Sequence, residues 1–251
     1  MNTVESINSK PEEFYTPFEL PSKGLGYAEN LNIPAILHLR PIKVSEEKVV
    51  LADASANLNA VTTNILNRCT KETIDTGDLW MADRDYLMYQ LRAISYSSTY
   101  PLRGRCKNCS SEVTSSVNLE DAEVISLEST DLLFPEVILP SSQYKFKLKP
   151  LTGKDMDFLI KKSRDKIESY IYNFSTCTTS IDVPGKPTVT LNSEIKAIIN
   201  NLIGKDSYAL RTAVSKNTFG IQKDYITSCG SCGADNTLTL ELSDDFFRSE
   251  D

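Results

Sequence analysis

Two Cys-x-x-Cys pairs, Cys106-Lys107-Asn108-Cys109 and Cys229-Gly230-Ser231-Cys232, constrain this chain more than any other feature. Each is followed by a short alternating segment with the pattern of a hairpin strand. Thiolates three positions apart face one metal when the turn between them is tight, and two such turns supply the four ligands of a tetrahedral zinc site. The interval between the pairs exceeds a hundred residues, where a compact zinc ribbon uses about 15 to 20. That interval has to be accounted for by the architecture.

Composition narrows the chemistry. The chain has 251 residues, 40% of them hydrophobic, and a formal charge of −7. That is enough apolar material for one large domain or two modest ones, and the acidic balance disfavours non-specific binding to phosphate backbones. No apolar run approaches the roughly 18 residues of a membrane span. Residues 1–13 are polar and acidic, without the basic start and apolar stretch of a secretory signal. A reducing cytosol is therefore expected, where Cys-x-x-Cys pairs serve metal or redox chemistry more than structural disulfides.

A redox pair sits at a helix N-terminus, where the dipole lowers the thiol pKa. Here Cys109 leads into Ser-Ser-Glu-Val-Thr-Ser-Ser-Val and Cys232 into Gly-Ala-Asp-Asn-Thr-Leu-Thr-Leu, which alternate like strands. Cys106, Cys109, Cys229 and Cys232 are thus expected to hold one structural Zn2+ per chain. Cys69 and Cys177 have no partner at ligand spacing and read as buried thiols.

The interval reads as an internal duplication. Leu20-Pro21-Ser22 recurs as Leu139-Pro140-Ser141, and the strand Leu37–Ile42 recurs as Phe146–Leu151, each reaching a proline. Helix-start signals follow at Ser45-Glu46-Glu47 and at Thr152–Asp155. Asp85-Tyr86-Leu87 with Ala93-Ile94-Ser95 matches Asp206-Ser207-Tyr208 with Ala213-Val214-Ser215. Each half then closes with its cysteine pair, an alternating strand and an acidic turn. The drifting offset requires insertions, placed at Lys23–Pro34 and around Ser175–Thr190. The expected organisation is a flexible arm at 1–13, a first module at 14–130, a linker at 131–135 and a related second module at 136–251. The fold class is α+β: two tandem helix-rich modules, each ending in a zinc-knuckle β-hairpin, joined by a shared zinc-ribbon-like four-cysteine site.

Periodicity predicts an extended aromatic segment over Phe14–Pro21, a loop over Ser22–Asn32 and a strand at Ala35–Leu39. Helices are expected at Ser45–Ala52 and Asn57–Cys69, and at Asp83–Ser95 with Asp83 as its cap. The second half is expected to contain one helix over Asp155–Tyr172 and a loop over Ser175–Thr190. Two further helices are expected there, capped by Asn192 and Asp206. Hairpin strands are expected around each knuckle.

No phosphate loop, nucleophile elbow or His-Glu-x-x-His motif is present. The single histidine, His38, reads as a strand-surface residue. A zinc held by four cysteines has no open coordination position, so the chain is expected not to be an enzyme.

Taken in order, Phe18-Glu19-Leu20-Pro21-Ser22-Lys23-Gly24, Leu37-His38-Leu39-Arg40-Pro41-Ile42, an Asp83-Arg84-Asp85-Tyr86-Leu87 helix with Leu91-Arg92 and the first knuckle form a constellation. It resembles the baseplate hub family of T-even-type tailed phages, including hub assembly proteins. The resemblance implies a part in building the central hub of the tail baseplate, through contacts with other hub and tail proteins. It implies residence in the host cytoplasm during assembly or in the virion tail baseplate, with no nucleic acid or membrane as partner. It carries over no catalytic residue and leaves a homo-oligomer open. Candidate contact elements are Phe14, Tyr15 and Phe18 in the arm, and Phe246 and Phe247 near the C-terminus. The alternatives are a nucleic-acid-binding zinc ribbon using Arg103, Arg105 and Lys107, and a thiol oxidoreductase.

Overall fold

The computed structural model describes residues 14–47, 57–162, 166–215, 219–242 and 246. Helices and small antiparallel sheets alternate along it, a mixed α+β architecture.

The first half opens on β1 (Thr16–Glu19), which pairs antiparallel with β2 (Ile36–Leu39). The expected aromatic segment thus docks on its own domain: Phe18 packs against the core, whereas Phe14 stays 82% exposed. Helix α1 (Leu58–Cys69) is capped by the Asn57 side chain, which accepts the Asn59 N–H. Its Ile65, Leu66 and Cys69 face the core. Helix α2 (Met81–Ser95) leads to the hairpin β3 (Thr99–Arg105) and β4 (Glu112–Asn118). Residues 44–47 are helical; the remainder of the helix expected at Ser45–Ala52 lies outside the described residues.

A bridging stretch carries β5 (Val124–Ile125) and the short α3 (Thr130–Leu133). The second half also opens on a strand pair and closes on a hairpin, with more helices and strands between them. β6 (Glu136–Ile138) pairs with β7 (Lys145–Leu148), followed by α4 (Gly153–Lys162) and α5 (Lys166–Cys177). Next come β8 (Thr178–Asp182), α6 (Asn192–Asn200) and α7 (Gly204–Val214). β9 (Gly220–Ile221) pairs back onto β5, and β10 (Asp224–Ser228) with β11 (Asp235–Thr239) forms the second hairpin.

Several expectations are corrected. Asp83 does not cap α2: the helix starts at Met81 after Trp80. The buried Asp83 carboxylate instead accepts the Ser22 N–H (2.9 Å) and the Tyr27 hydroxyl (2.6 Å). Asp206 likewise lies inside the first turn of α7 and accepts the Ser141 and Ser142 N–H groups, at 2.8 and 2.9 Å. It holds its turn as Asp83 holds the Ser22 turn, whereas the sequence match paired it with Asp85. Asn192 makes no cap either, because α6 already begins there.

The helix expected over Asp155–Tyr172 is two helices. α4 packs on α1 of the first half and α5 on α6 of the second, so one straight axis does not serve both. Within the Ser175–Thr190 loop, β8 pairs with β7, and Ile181 bridges to Val189. A run of β-branched residues there fits a pleated, half-buried surface.

Backbone hydrogen bonds recur between the halves. Leu20 N–H donates to the Ala35 carbonyl and Leu139 N–H to Tyr144; Arg40 N–H donates to Cys69 and Lys149 N–H to Cys177. The ion pairs Arg40–Glu46 and Lys149–Asp155 stand at the same places, each just after a β2- or β7-type strand.

The halves are joined by packing. A large core holds Leu37, Leu39 and Leu87 of the first half together with Leu238 and Leu240 of the second hairpin and Phe246. Phe246 is fully buried between Tyr89 and Tyr100, at ring centroid distances of 5.5 and 5.6 Å. A second core gathers Leu139, Phe146, Phe174, Ile195 and Leu210. At the other contact, Arg84 is fully buried and donates to Thr63 Oγ1, the Thr76 carbonyl, and the carbonyl and Oδ1 of Asn59, at 2.9 to 3.1 Å. Gly153 closes over the guanidinium, and a Cβ there would lie 1.9 Å from Nη1.

Two outcomes follow from this packing. Gly153→Ala should destabilise the chain by about 1 to 3 kcal/mol through overpacking against Arg84. Gly204→Ala, at the matching first helical position with open space around it, should instead stabilise by about 0.4 to 1 kcal/mol. Urea midpoints of the two variants check the contrast. The Arg40 guanidinium holds the Glu46 carboxyl below its ordinary value. That stabilisation is complete above the unfolded Glu pKa of about 4.3 and is lost as pH falls through the lower folded value. Glu46→Gln should therefore lose less stability than the native chain on acidification below about pH 5, read from denaturation midpoints across pH.

Candidate metal centre

Both cysteine pairs sit at the tips of hairpins, and the same local rule builds each tip. Cys106 N–H donates to the Ser111 carbonyl and Ser110 N–H returns to Cys106; Cys229 N–H donates to Ala234 and Gly233 N–H returns to Cys229. The turns close through left-handed backbone, at Ser110 (φ 63°) and Gly233 (φ 73°).

Strand alternation then brings the tips together. Tyr100, Leu102, Gly104, Val113 and Val117 lie on the inner face of the first hairpin, and Tyr225, Asn236 and Leu238 on that of the second. Gly104 lies at the closest approach, where a Cβ would come within 2.6 Å of Leu238 Cδ2 and displace the end of that side chain.

All four expected ligands meet. The sulfurs of Cys106, Cys109, Cys229 and Cys232 lie within 4.8 Å of one another. Cys106 and Cys232 Sγ are 3.6 Å apart, and Cys109 and Cys229 Sγ 3.7 Å, linking residues 126 and 120 positions apart in the chain. A tetrahedron with metal–sulfur bonds of about 2.3 Å has edges of about 3.8 Å, whereas a disulfide is about 2.05 Å. The spacing fits four thiolates around one ion. Cys106 and Cys229 are buried, while Cys109 and Cys232 are exposed.

Donors around the sulfurs favour thiolate. Backbone N–H groups of Cys109 and Asn108 push the Cys106 thiol down to about 6. The Ser111 hydroxyl and N–H lower Cys109. Cys232 receives the Ala234 N–H and the Asn108 amide, but the sulfurs of Cys109 and Cys106 beside it drive its value up. Neighbouring sulfurs that resist sharing negative charge are what a cation relieves.

Sequence reasoning missed Asn236. Buried at an inward position of β11, it accepts the Lys107 N–H on Oδ1 (3.0 Å), and Nδ2 faces Cys106 Sγ (3.6 Å) and the Ala234 carbonyl (2.8 Å). The signal was an asparagine where alternation calls for an apolar residue. Its neighbours show why it is there: it stitches the first knuckle onto the second hairpin and orients a ligand.

The remaining candidates lie elsewhere. His38 Nδ1 contacts Glu72 Oε1 at 2.6 Å, outside the cysteine group. Cys69 and Cys177 are buried at equivalent helix ends, and desolvation pushes both thiols up to about 12. Arg103, Arg105 and Lys107 are exposed along the first hairpin. Phe246 packs in the core and Phe247 lies outside the described residues.

These features define a mixed α+β protein with a four-cysteine cluster able to hold a metal ion. Residues 14–248 match the family model described as T4 bacteriophage base plate protein, and the chain belongs to that family. No curated protein and no solved structure matches it.

Asn236→Ala removes bonds to both knuckles and leaves the Lys107 N–H without its acceptor, so it should cost about 1 to 3 kcal/mol. Asn236→Asp retains the Lys107 bond and should recover part of that loss. Chemical denaturation of both variants reads the difference.

Proposed function

We propose that the protein is a component or assembly factor of the phage tail baseplate hub, acting through protein–protein contacts and catalysing no reaction. Membership of the baseplate family supports the structural setting. In this reading Cys106, Cys109, Cys229 and Cys232 hold one Zn2+, which closes the joint between two copies of a single module. The observation that carries it is the convergence of four sulfurs from hairpins 120 and 126 positions apart onto tetrahedral-edge spacing. The recurrent hydrogen bonds at Leu20 and Leu139, Arg40 and Lys149, and Asp83 and Asp206 support the two-copy origin.

A closed thiolate site polarises no substrate; its zinc would add folding free energy at the joint. The apolar interface beneath it is large enough that metal removal should loosen the hairpin tips without separating the halves. Among the described residues no helix is long and apolar enough to cross a membrane, and a place in the virion tail follows from the family. Nucleic-acid binding through Arg103, Arg105 and Lys107 is disfavoured by the net charge of −7 and by Asp235 beside the second knuckle.

Metal analysis of the purified chain should give one zinc per chain. A thiol reagent should find none of the four cluster thiols before chelation and all four after it, with Cys69 and Cys177 reacting only on unfolding. A chain purified without chelator that carries no zinc and shows four freely reactive cluster thiols would overturn the zinc assignment. Co-purification from infected cells should recover baseplate proteins; recovery of none would overturn the hub reading.

A further inference from the structure

The four sulfurs of the cluster are not equivalent. Cys106 and Cys229 are each 2% exposed, whereas Cys109 and Cys232 are open to solvent. The direct sulfur contacts cross from one hairpin to the other: Cys106 Sγ meets Cys232 Sγ at 3.6 Å, and Cys109 Sγ meets Cys229 Sγ at 3.7 Å. Each contact therefore couples one exposed sulfur to one buried sulfur. Asn108 touches both members of the first pair, its N–H donating to Cys106 Sγ at 3.4 Å and its Nδ2 to Cys232 Sγ at 3.6 Å.

A sulfur that a reagent can reach, with a second thiol beside it, has the layout of an oxidisable pair. A disulfide needs the sulfurs about 2.05 Å apart, so each pair has about 1.6 Å to close. The choice of pairs matters for the joint. A disulfide within one Cys-x-x-Cys would close a tight turn and leave the two hairpins unlinked. The crossing pairs lie 126 and 120 positions apart in the chain, and cross-links over long loops constrain the unfolded chain most.

We propose that the cluster is a two-state latch: a metal ion joins the hairpins under reducing conditions, and a peroxide converts the same sulfurs into the disulfides Cys106–Cys232 and Cys109–Cys229. Peroxide transfers one oxygen to an exposed sulfur, Cys232 or Cys109, giving a sulfenic acid and one water. The buried partner, Cys106 or Cys229, then attacks that sulfur; the S–S bond forms and the hydroxyl leaves as a second water. Each disulfide thus consumes one peroxide, and the two sulfurs supply the two electrons that reduce it. Starting from four metal-bound thiolates, the protons come from solvent, and the ion is released because its ligand is the thiolate. Oxidation here fastens the joint, whereas it opens a small domain whose only staple is its metal. Release of an ion rests on the zinc reading; the pairing of the sulfurs does not.

The test treats the full, zinc-loaded chain with hydrogen peroxide and maps tryptic peptides without reduction. Cleavage at Lys107 separates Cys106 from Cys109. Both resulting peptides should be joined to the peptide that carries Cys229 and Cys232, with fragmentation between those two cysteines assigning Cys106 to Cys232 and Cys109 to Cys229. A chelating dye should register release of all the zinc, and the buried Cys69 and Cys177 should remain thiols. In urea the oxidised chain should unfold at a higher midpoint than the reduced chain stripped by chelator. Disulfides within the knuckles, Cys106 joined to Cys229, sulfinic acids without disulfides, or an unraised midpoint would each overturn the proposal. Crossing disulfides in a chain that never held zinc would sink the zinc reading alone. A zinc-holding chain with any other pairing would sink this one alone.

Discussion

The close approach of two β-hairpins governs this structure. Gly104 gives Leu238 the space to cross the first ribbon, and the strand pleat sends Tyr100, Leu102 and Val113 toward Tyr225 and Leu238. Once the ribbons lie face to face, their tips have nowhere to go but together, and four sulfurs meet. The order of causes matters. In a small zinc finger the metal is the core and the apo chain unfolds. Here Leu102, Val117, Leu119, Leu238 and Leu240 are buried beneath the tips, so the thiol cluster caps an interface that apolar burial also favours.

The second contact between the halves is polar and less forgiving. Arg84 is buried without a carboxylate at ion-pair distance among the described residues, and desolvation pulls its pKa down. Four carbonyl and hydroxyl acceptors hold it in place of an acid. Asn59, which supplies two of them, also donates to the Gly153 carbonyl and to Asp157. Helix α4 is thereby positioned by the same residues that solvate the arginine. Such a network adds little net stability over an apolar plug, yet it tolerates only one arrangement, because every displaced member leaves a buried group unpaired. The hairpins supply adhesion and Arg84 supplies register.

Much of this was legible in the sequence where signals are local. Cys-x-x-Cys spacing and period-two alternation identified the hairpins and the four cysteines that converge at their tips, and Asn57 announced the start of α1. Failures came where a local signal had a distant use. Asp83 and Asp206 look like caps because an aspartate near a helix start is a cap by default; only the fold reveals Ser22 and Ser141 waiting for them. The apolar positions from Asp155 to Tyr172 read as one helix, but the polar run Lys161 to Lys166 interrupts them and the two ends pack on different halves. The threonines of β8 read as loop by composition, although their branched side chains suit a sheet. Asn236 and Arg84 were overlooked because a polar residue at an inward position means nothing until its partners are known.

The two halves also show how one local design can serve opposite ends. Each places an aspartate in the first turn of a helix to hold a Leu-Pro-Ser turn, and each leaves one hydrophobic residue just ahead of that helix. In the first half the loop from Ser22 to Pro34 returns over this spot, and Tyr27 and Trp80 bury one another. In the second half the chain turns back within a few residues, and residues of α6 such as Ala197 and Ile198 line the same spot. The aspartate, the turn and the helix are alike in both, and the loops around them differ in length. The first half is completed by its own loop and by the second hairpin, while the other half keeps a smaller core of its own and leaves Ile203, Leu191 and Tyr208 exposed.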